Sequence, residues 1–115
     1  MRSWLIVFGL GLATSAEPNP AAASEKLLAY GRHLSQECAS CHRSDGTDNG
    51  IPSLVGLGVE EFIETLGYYK SGARTNPAMI SVAQSLDDEQ IRALAHYFGS
   101  LQMPTVAPAK AVPKR

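Results

Sequence analysis

Apolar residues recur at three- and four-residue spacing along this chain, and Gly, Pro, Asn and Asp punctuate the gaps. Leu27, Tyr30 and Leu34 mark one face of a helix predicted over about 25–37, with Ser24 as its N-cap. Positions 40–55 carry Gly46, Asn49, Gly50, Pro52 and Ser53, the chemistry of a loop. Phe62, Leu66 and Tyr69 predict a second helix over about 59–70, with Gly72 as its stop. Asn76 before Pro77 reads as an N-cap followed by proline at the first helical position, opening a short helix through Met79 to about 83. Asp87 with Gln90 three residues on has the form of a capping box, and Ile91, Leu94, Ala95, Phe98 and Leu101 then make one stripe. No window alternates as a strand and no repeat is present, so the predicted fold is all-α with about four helices.

The ends of the chain read differently from its middle. Arg2 precedes an apolar run from Trp4 to Ala13, and Thr14, Ser15 and Ala16 follow. This is the pattern of a cleavable export signal at 1–16, with a later cut after Ala23 as the alternative and a retained membrane anchor as the competing reading. The run is too short for a bilayer core of about 30 Å. Positions 17–23, rich in Pro and Ala, read as a flexible lead-in. The folded domain is then 24–102, and 103–115 is expected to be a mobile tail with three prolines and three basic residues. Export places the mature chain in the periplasm, without a membrane span.

Cleavage after Ala16 leaves 99 of the 115 residues. A chain that short buries only about two thirds of its surface, so its core calls for help from a cross-link, metal or cofactor. Losing Arg2 leaves nine basic against eleven acidic side chains, a net charge of −2. That is no footprint for nucleic acid and no polybasic membrane patch.

The two cysteines stand in Cys38-Ala39-Ser40-Cys41-His42. A disulfide closing so short a loop would constrain the unfolded chain little, so a chemical role is the better reason for the pair. C-x-x-C-H is the attachment signature of c-type haem. Each thiol adds across one vinyl group, and the adjacent histidine then lies under the ring with a nitrogen on the iron. The alternatives are a thioredoxin-like dithiol, for which no βαβ setting is visible, and half of a zinc site, for which no second ligand pair exists. The expected cofactor is one covalent haem c, with His42 as an axial ligand.

The sixth iron position decides the function, since a carrier closes it and a sensor leaves it open. Met79 and Met103 are the methionines beyond the signal. Met79, just inside a Pro-defined helix start, is the better candidate, with core packing as its other reading. His96 lies about 200° around the helix from Leu94 and Phe98 and should face water. His33 sits in the helix leading into the attachment motif, and Lys70 would first have to lose a proton. A backbone carbonyl near Pro52 could accept the free ring N–H of His42, or Pro52 could simply shape the loop. Tyr69, Arg74 and Asn76, just before Met79, could hydrogen-bond the haem propionates or fix the methionine sulfur; for Arg74 a merely solvated surface charge is the competing reading.

These segments resemble the class I cytochromes c, in particular short bacterial monohaem members. The likeness covers about 27–101. Gly31 and Leu34 precede the attachment motif as in that family, and Gly50-Ile51-Pro52-Ser53-Leu54-Val55-Gly56 is similar to the proximal loop whose proline carbonyl supports the iron-bound histidine. The stretch from Tyr69 to Asn76 followed by Met79 is similar to the distal segment, where the methionine is the sixth ligand. Leu94 and Tyr97 match positions that pack on the first helix, close to a small residue such as Gly31. Within the family, the Ile51-Pro52-Ser53-Leu54 run, the Gly72-Ala73-Arg74 turn and the stretch from Met79 to Ala83 look most like the cytochrome subunits of flavocytochrome c sulfide dehydrogenases. The resemblance implies single-electron transfer rather than catalysis by this chain alone, with a flavoprotein as redox partner. A freely diffusing carrier and an open-site haem sensor are the competing readings.

Overall fold

The structure is a computed structural model, and it describes residues 19–102. Its elements are α1 (Pro20–Cys38), α2 (Val59–Ser71), α3 (Pro77–Ser85) and α4 (Asp88–Ser100). No strand occurs among the described residues. The predicted export signal and the tail from Met103 lie outside them.

Three of the four helix starts follow from local capping chemistry. The Asn76 side chain accepts from the Met79 N–H with Pro77 at the first turn of α3, and Asp87 and Gln90 form a reciprocal capping box on α4. Helix α2 stops at Gly72, whose φ of 80° is the left-handed conformation that glycine adopts without steric cost.

Helix α1 departs from expectation at its start. Its N-cap is Asn19, whose side chain accepts from the Ala21 N–H, and Pro20 occupies the first turn. Ser24 is therefore inside the helix, and 20–23, expected as part of a flexible lead-in, form its first turn. The reason is physical: proline at a first helical position lacks only a donor that has no intrahelical partner there, and three alanines propagate the helix.

Helix α4 is the centre of the domain. It packs against α1 on one side and α2 on the other, while α3 packs against α2. Phe62 and Leu66 from α2, Ala83 from α3, and Ile91, Leu94, Ala95 and Phe98 from α4 form the core. The rings of Phe62 and Phe98 stack with centroids 5.8 Å apart. Burying each such large side chain contributes about 1.5–3 kcal/mol.

The crossing of α1 over α4 uses small residues. Gly31 and Ser35 are the buried positions of α1, and a Cβ on Gly31 would sit 2.7 Å from the Tyr97 Cβ and closer still to the Ala93 carbonyl oxygen. Ala93, outside the predicted stripe, is fully buried for this reason. Tyr30, expected on the inner face, is instead exposed.

Candidate cofactor-attachment site

The last turn of α1 delivers the attachment motif. Cys38 ends the helix, and its carbonyl accepts both the Cys41 N–H at 3.2 Å and the His42 N–H at 2.8 Å. This tight turn holds the two thiols and the imidazole on one short piece of backbone. Both thiols are free, with Cys38 half-buried and Cys41 exposed. Burial pushes the Cys38 thiol above its ordinary pKa, and the neighbouring Glu37 carboxylate adds to the effect. Cys38, Cys41 and His42 do not converge as a three-ligand group, nor does any other set of three His, Cys, Asp or Glu among the described residues.

His42 is oriented from the opposite loop. Its Nδ1 lies 2.6 Å from the Pro52 carbonyl oxygen. A carbonyl can only accept, so Nδ1 carries the hydrogen and the Nε2 lone pair is left for a metal. The loop that carries Pro52 is itself tied down. Ser53 Oγ accepts the Val55 N–H at 3.2 Å, and the Gly56 N–H donates 2.9 Å to the Phe98 carbonyl in α4. Gly56 has a φ of 75°, which favours glycine. The tie to Phe98 spans distant parts of the chain and had no sequence signal. The segment after His42 is held by Asp45, which pairs with Arg43 at 2.7 Å and accepts from the Thr47 hydroxyl and N–H at 2.6 and 3.0 Å.

Met79 stands on the first turn of α3, half-buried against the core, with its N–H fixed by the Asn76 side chain. Asn76 Oδ1 is thereby engaged at the backbone of Met79. Arg74 places its guanidinium 5.3 Å from the centroid of the Tyr69 ring, and its N–H donates to the Tyr68 carbonyl. Tyr69 packs on the core cluster. The other candidate ligands are placed apart. Lys70 Nζ donates 2.6 Å to the Leu86 carbonyl, while His33 and His96 are exposed.

Apolar side chains are carried on the same segments as the donors. Leu34, Leu54, Leu57 and Met79 pack half-buried on the core, and Ile51 and Val82 stand exposed beside them in sequence at 38% and 42%. An apolar macrocycle tethered at Cys38 and Cys41 has apolar side chains available from α1, the 51–57 loop and α3. No helix among the described residues is long and apolar enough to cross a membrane.

A family profile described as Cytochrome c matches residues 28–102. The chain is 37% identical over 99 residues to the cytochrome subunit of sulfide dehydrogenase from Chlorobaculum tepidum, an alignment covering 84% of this chain and 89% of that protein. It is 35% identical over 112 residues to a thiosulfate dehydrogenase electron acceptor from Thiomonas intermedia, covering 95% of this chain but 48% of that longer protein. It is also 39% identical over 72 residues to cytochrome c-553 of Helicobacter pylori, covering 60% of this chain and 75% of that protein.

Proposed function

The chain belongs to the cytochrome c family and carries one covalently bound haem c as an electron carrier, not a catalyst in itself, and we propose that Cys38 and Cys41 hold that haem while His42 and Met79 bind its iron. The observation that carries this assignment is the 2.6 Å hydrogen bond from His42 Nδ1 to the Pro52 carbonyl. It frees Nε2, fixes the plane of the ring and makes the imidazole a stronger donor.

Bound haem supplies a single reversible electron at its iron. The protein's task is to keep the surroundings constant while that electron comes and goes. His42 is fixed by Pro52, and Met79 by the Asn76 cap and the core beneath it. A thioether ligand and an apolar setting both oppose the extra positive charge of ferric iron, so a fairly high potential follows. Asn76 caps the helix turn that carries Met79, Arg74 stacks on Tyr69 just before it in the chain, and Arg74 is the candidate partner for a propionate.

The redox partner is read as a flavoprotein that oxidises an inorganic sulfur compound, in the periplasm, after removal of 1–16. Support comes from the relatives named for sulfide and thiosulfate dehydrogenases. A freely diffusing carrier is the second reading, favoured by the likeness to cytochrome c-553. One experiment separates them. The protein is purified from its native host under mild conditions, weighed intact and mixed with sulfide and any co-purifying flavoprotein. The proposal expects a mass lacking 1–16 and exceeding its amino acids by one haem, and reduction of the iron by sulfide only when the flavoprotein is present. An intact mass equal to the amino acids alone would sink the attachment sites. A haem-loaded protein that purifies alone, and is reduced by no sulfur-oxidising flavoprotein, would favour the diffusing carrier.

A further inference from the structure

Helix α3 carries Met79, and among the described helices α2 is the one whose backbone runs close beside it. Its N-terminus is fixed by the Asn76 cap. At its C-terminus the local side-chain contact is the Ser85 hydroxyl, which donates to the Val82 carbonyl at 2.6 Å. The residue that closes α3 is Leu86, in extended conformation, with its N–H on the Ala83 carbonyl. The carbonyl of Leu86 is taken by a residue sixteen positions earlier in the chain, Lys70 Nζ at 2.6 Å, reaching across from the last turn of α2. Asp88 Oδ1 lies 3.9 Å from the same ammonium, and its own side chain is 96% exposed. The short contact is thus the one to the carbonyl, and the carboxylate only flanks it.

We propose that Lys70 is a positioning residue that latches the far end of α3 to α2 and so governs how often Met79 leaves the haem iron. The inference rests on the reading of Met79 as the sixth ligand. Its physical basis is leverage. Ala83 is the fully buried anchor of α3, and Met79 lies one turn before it on the same short helix. A short helix held by Ala83, by the packing of Met79 and by the cap at its start can tilt away from α2 unless its other end is pinned. A charge-assisted hydrogen bond to a backbone carbonyl is about twice as strong as a neutral one, and this one is part-buried. Releasing it raises the population of the open arrangement while the α1–α4 crossing, built on Gly31, Ala93 and Tyr97, stays packed.

The test uses ferric holoprotein and two readouts. Exogenous imidazole competes for the sixth position, so its binding rate follows the fraction of time Met79 is away. Amide hydrogen exchange reports opening of α3 directly. Lys70→Met keeps the apolar stem and removes the donor. It should bind imidazole about tenfold faster, with faster exchange over 79–85, while the resting sulfur-to-iron charge-transfer band and the exchange of α1 and α4 stay as in the parent. Asp88→Asn should change neither rate by more than about twofold. Unchanged imidazole binding and α3 exchange in Lys70→Met, with the band present, overturn the latch and leave Met79 as ligand. Equal acceleration in Asp88→Asn overturns the assignment to the Leu86 carbonyl. Faster exchange across all helices shows a general loss of packing and also overturns it. Absence of the band from the parent protein removes the Met79 reading itself, an outcome distinct from the others.

Discussion

The Nδ1–H of His42 donates to the carbonyl of Pro52 across 2.6 Å, joining the end of the attachment motif to a loop ten residues on. The acceptor pulls on the N–H and makes the imidazole a stronger donor, which, with His42 as the proposed ligand, favours ferric iron. Pro52 holds its carbonyl in place through a fixed φ. Pro52→Ala keeps the carbonyl but lets the loop relax, so the bond should lengthen. The midpoint potential of the haem is expected to rise by about 20–40 mV, less than a tenfold change in a one-electron equilibrium. Potentiometric titration checks this, and an unchanged or lower potential would show that the carbonyl does not tune the ligand.

Two glycines on helices should respond oppositely to alanine. A Cβ at Gly31 meets the Ala93 carbonyl and lies 2.7 Å from Tyr97 Cβ, whereas one at Gly67 meets nothing within 4 Å. Alanine gains about 0.5–1 kcal/mol over glycine inside a helix. Gly67→Ala should therefore stabilise by about that amount. At Gly31 the clash opposes the same gain, because backbone must move, and overpacking costs about 1–3 kcal/mol or more. Gly31→Ala should be less stable by about 2 kcal/mol in urea unfolding of the holoprotein. A Gly31→Ala protein as stable as Gly67→Ala would mean the helices cross less closely than described.

Asp45 should titrate well below an ordinary carboxyl. The hydrogen bond from Arg43 holds its pKa down, and those from the Thr47 hydroxyl and N–H add to it. The group is exposed, so solvent screens the effect on stability. A depressed folded pKa gives a contribution that is complete above the unfolded value near about 4 and is lost as pH falls through the folded one. The difference in loop order between the parent and Asp45→Asn should accordingly be constant above about pH 4 and vanish only in strong acid. An Asp45 carboxyl resonance titrating near pH 4 by NMR would contradict the pairing.

What could be read from the sequence divides by the range of the interaction. Asn76-Pro77, Asp87 with Gln90, and Gly72 act within four residues, and their caps appear where the pattern put them. Asn19-Pro20 acts over the same range, but a stretch of Pro and Ala imitates an unstructured lead-in, and Ser24 drew the helix start five residues late. Ala93 carries no local signal, because only the approach of Gly31 from another helix buries it. The spacing of Tyr30 puts it on the inner face, yet the small-residue crossing leaves it out. At the site, the motif itself gave Cys38, Cys41 and His42 as candidates. Arg74 stacked on Tyr69, and Lys70 on the Leu86 carbonyl, depend on how α2 and α3 lie together, which spacing does not encode.

The last prediction concerns the cap that precedes Met79. Asn76 Oδ1 accepts the Met79 N–H at 3.1 Å, so a single hydrogen bond both starts α3 and fixes the backbone of the proposed ligand. Removing a cap of this kind costs about 0.5–2 kcal/mol. In Asn76→Ala that cost falls on the first turn of α3, and the helix end should fray with Met79 on it. Asn76→Asp preserves the acceptor and adds a charge favourable to a helix N-terminus. Followed in ferric protein on warming, the sulfur-to-iron charge-transfer band should fade at lower temperature in Asn76→Ala than in the parent, well before the helices melt by circular dichroism. In Asn76→Asp it should persist as in the parent. If both variants lose the band together, the amide nitrogen of Asn76 matters rather than its oxygen, and the capping account fails. If Met103→Ala removes the band while Met79→Ala leaves it, the ligand lies in the tail and the cap has no bearing on it.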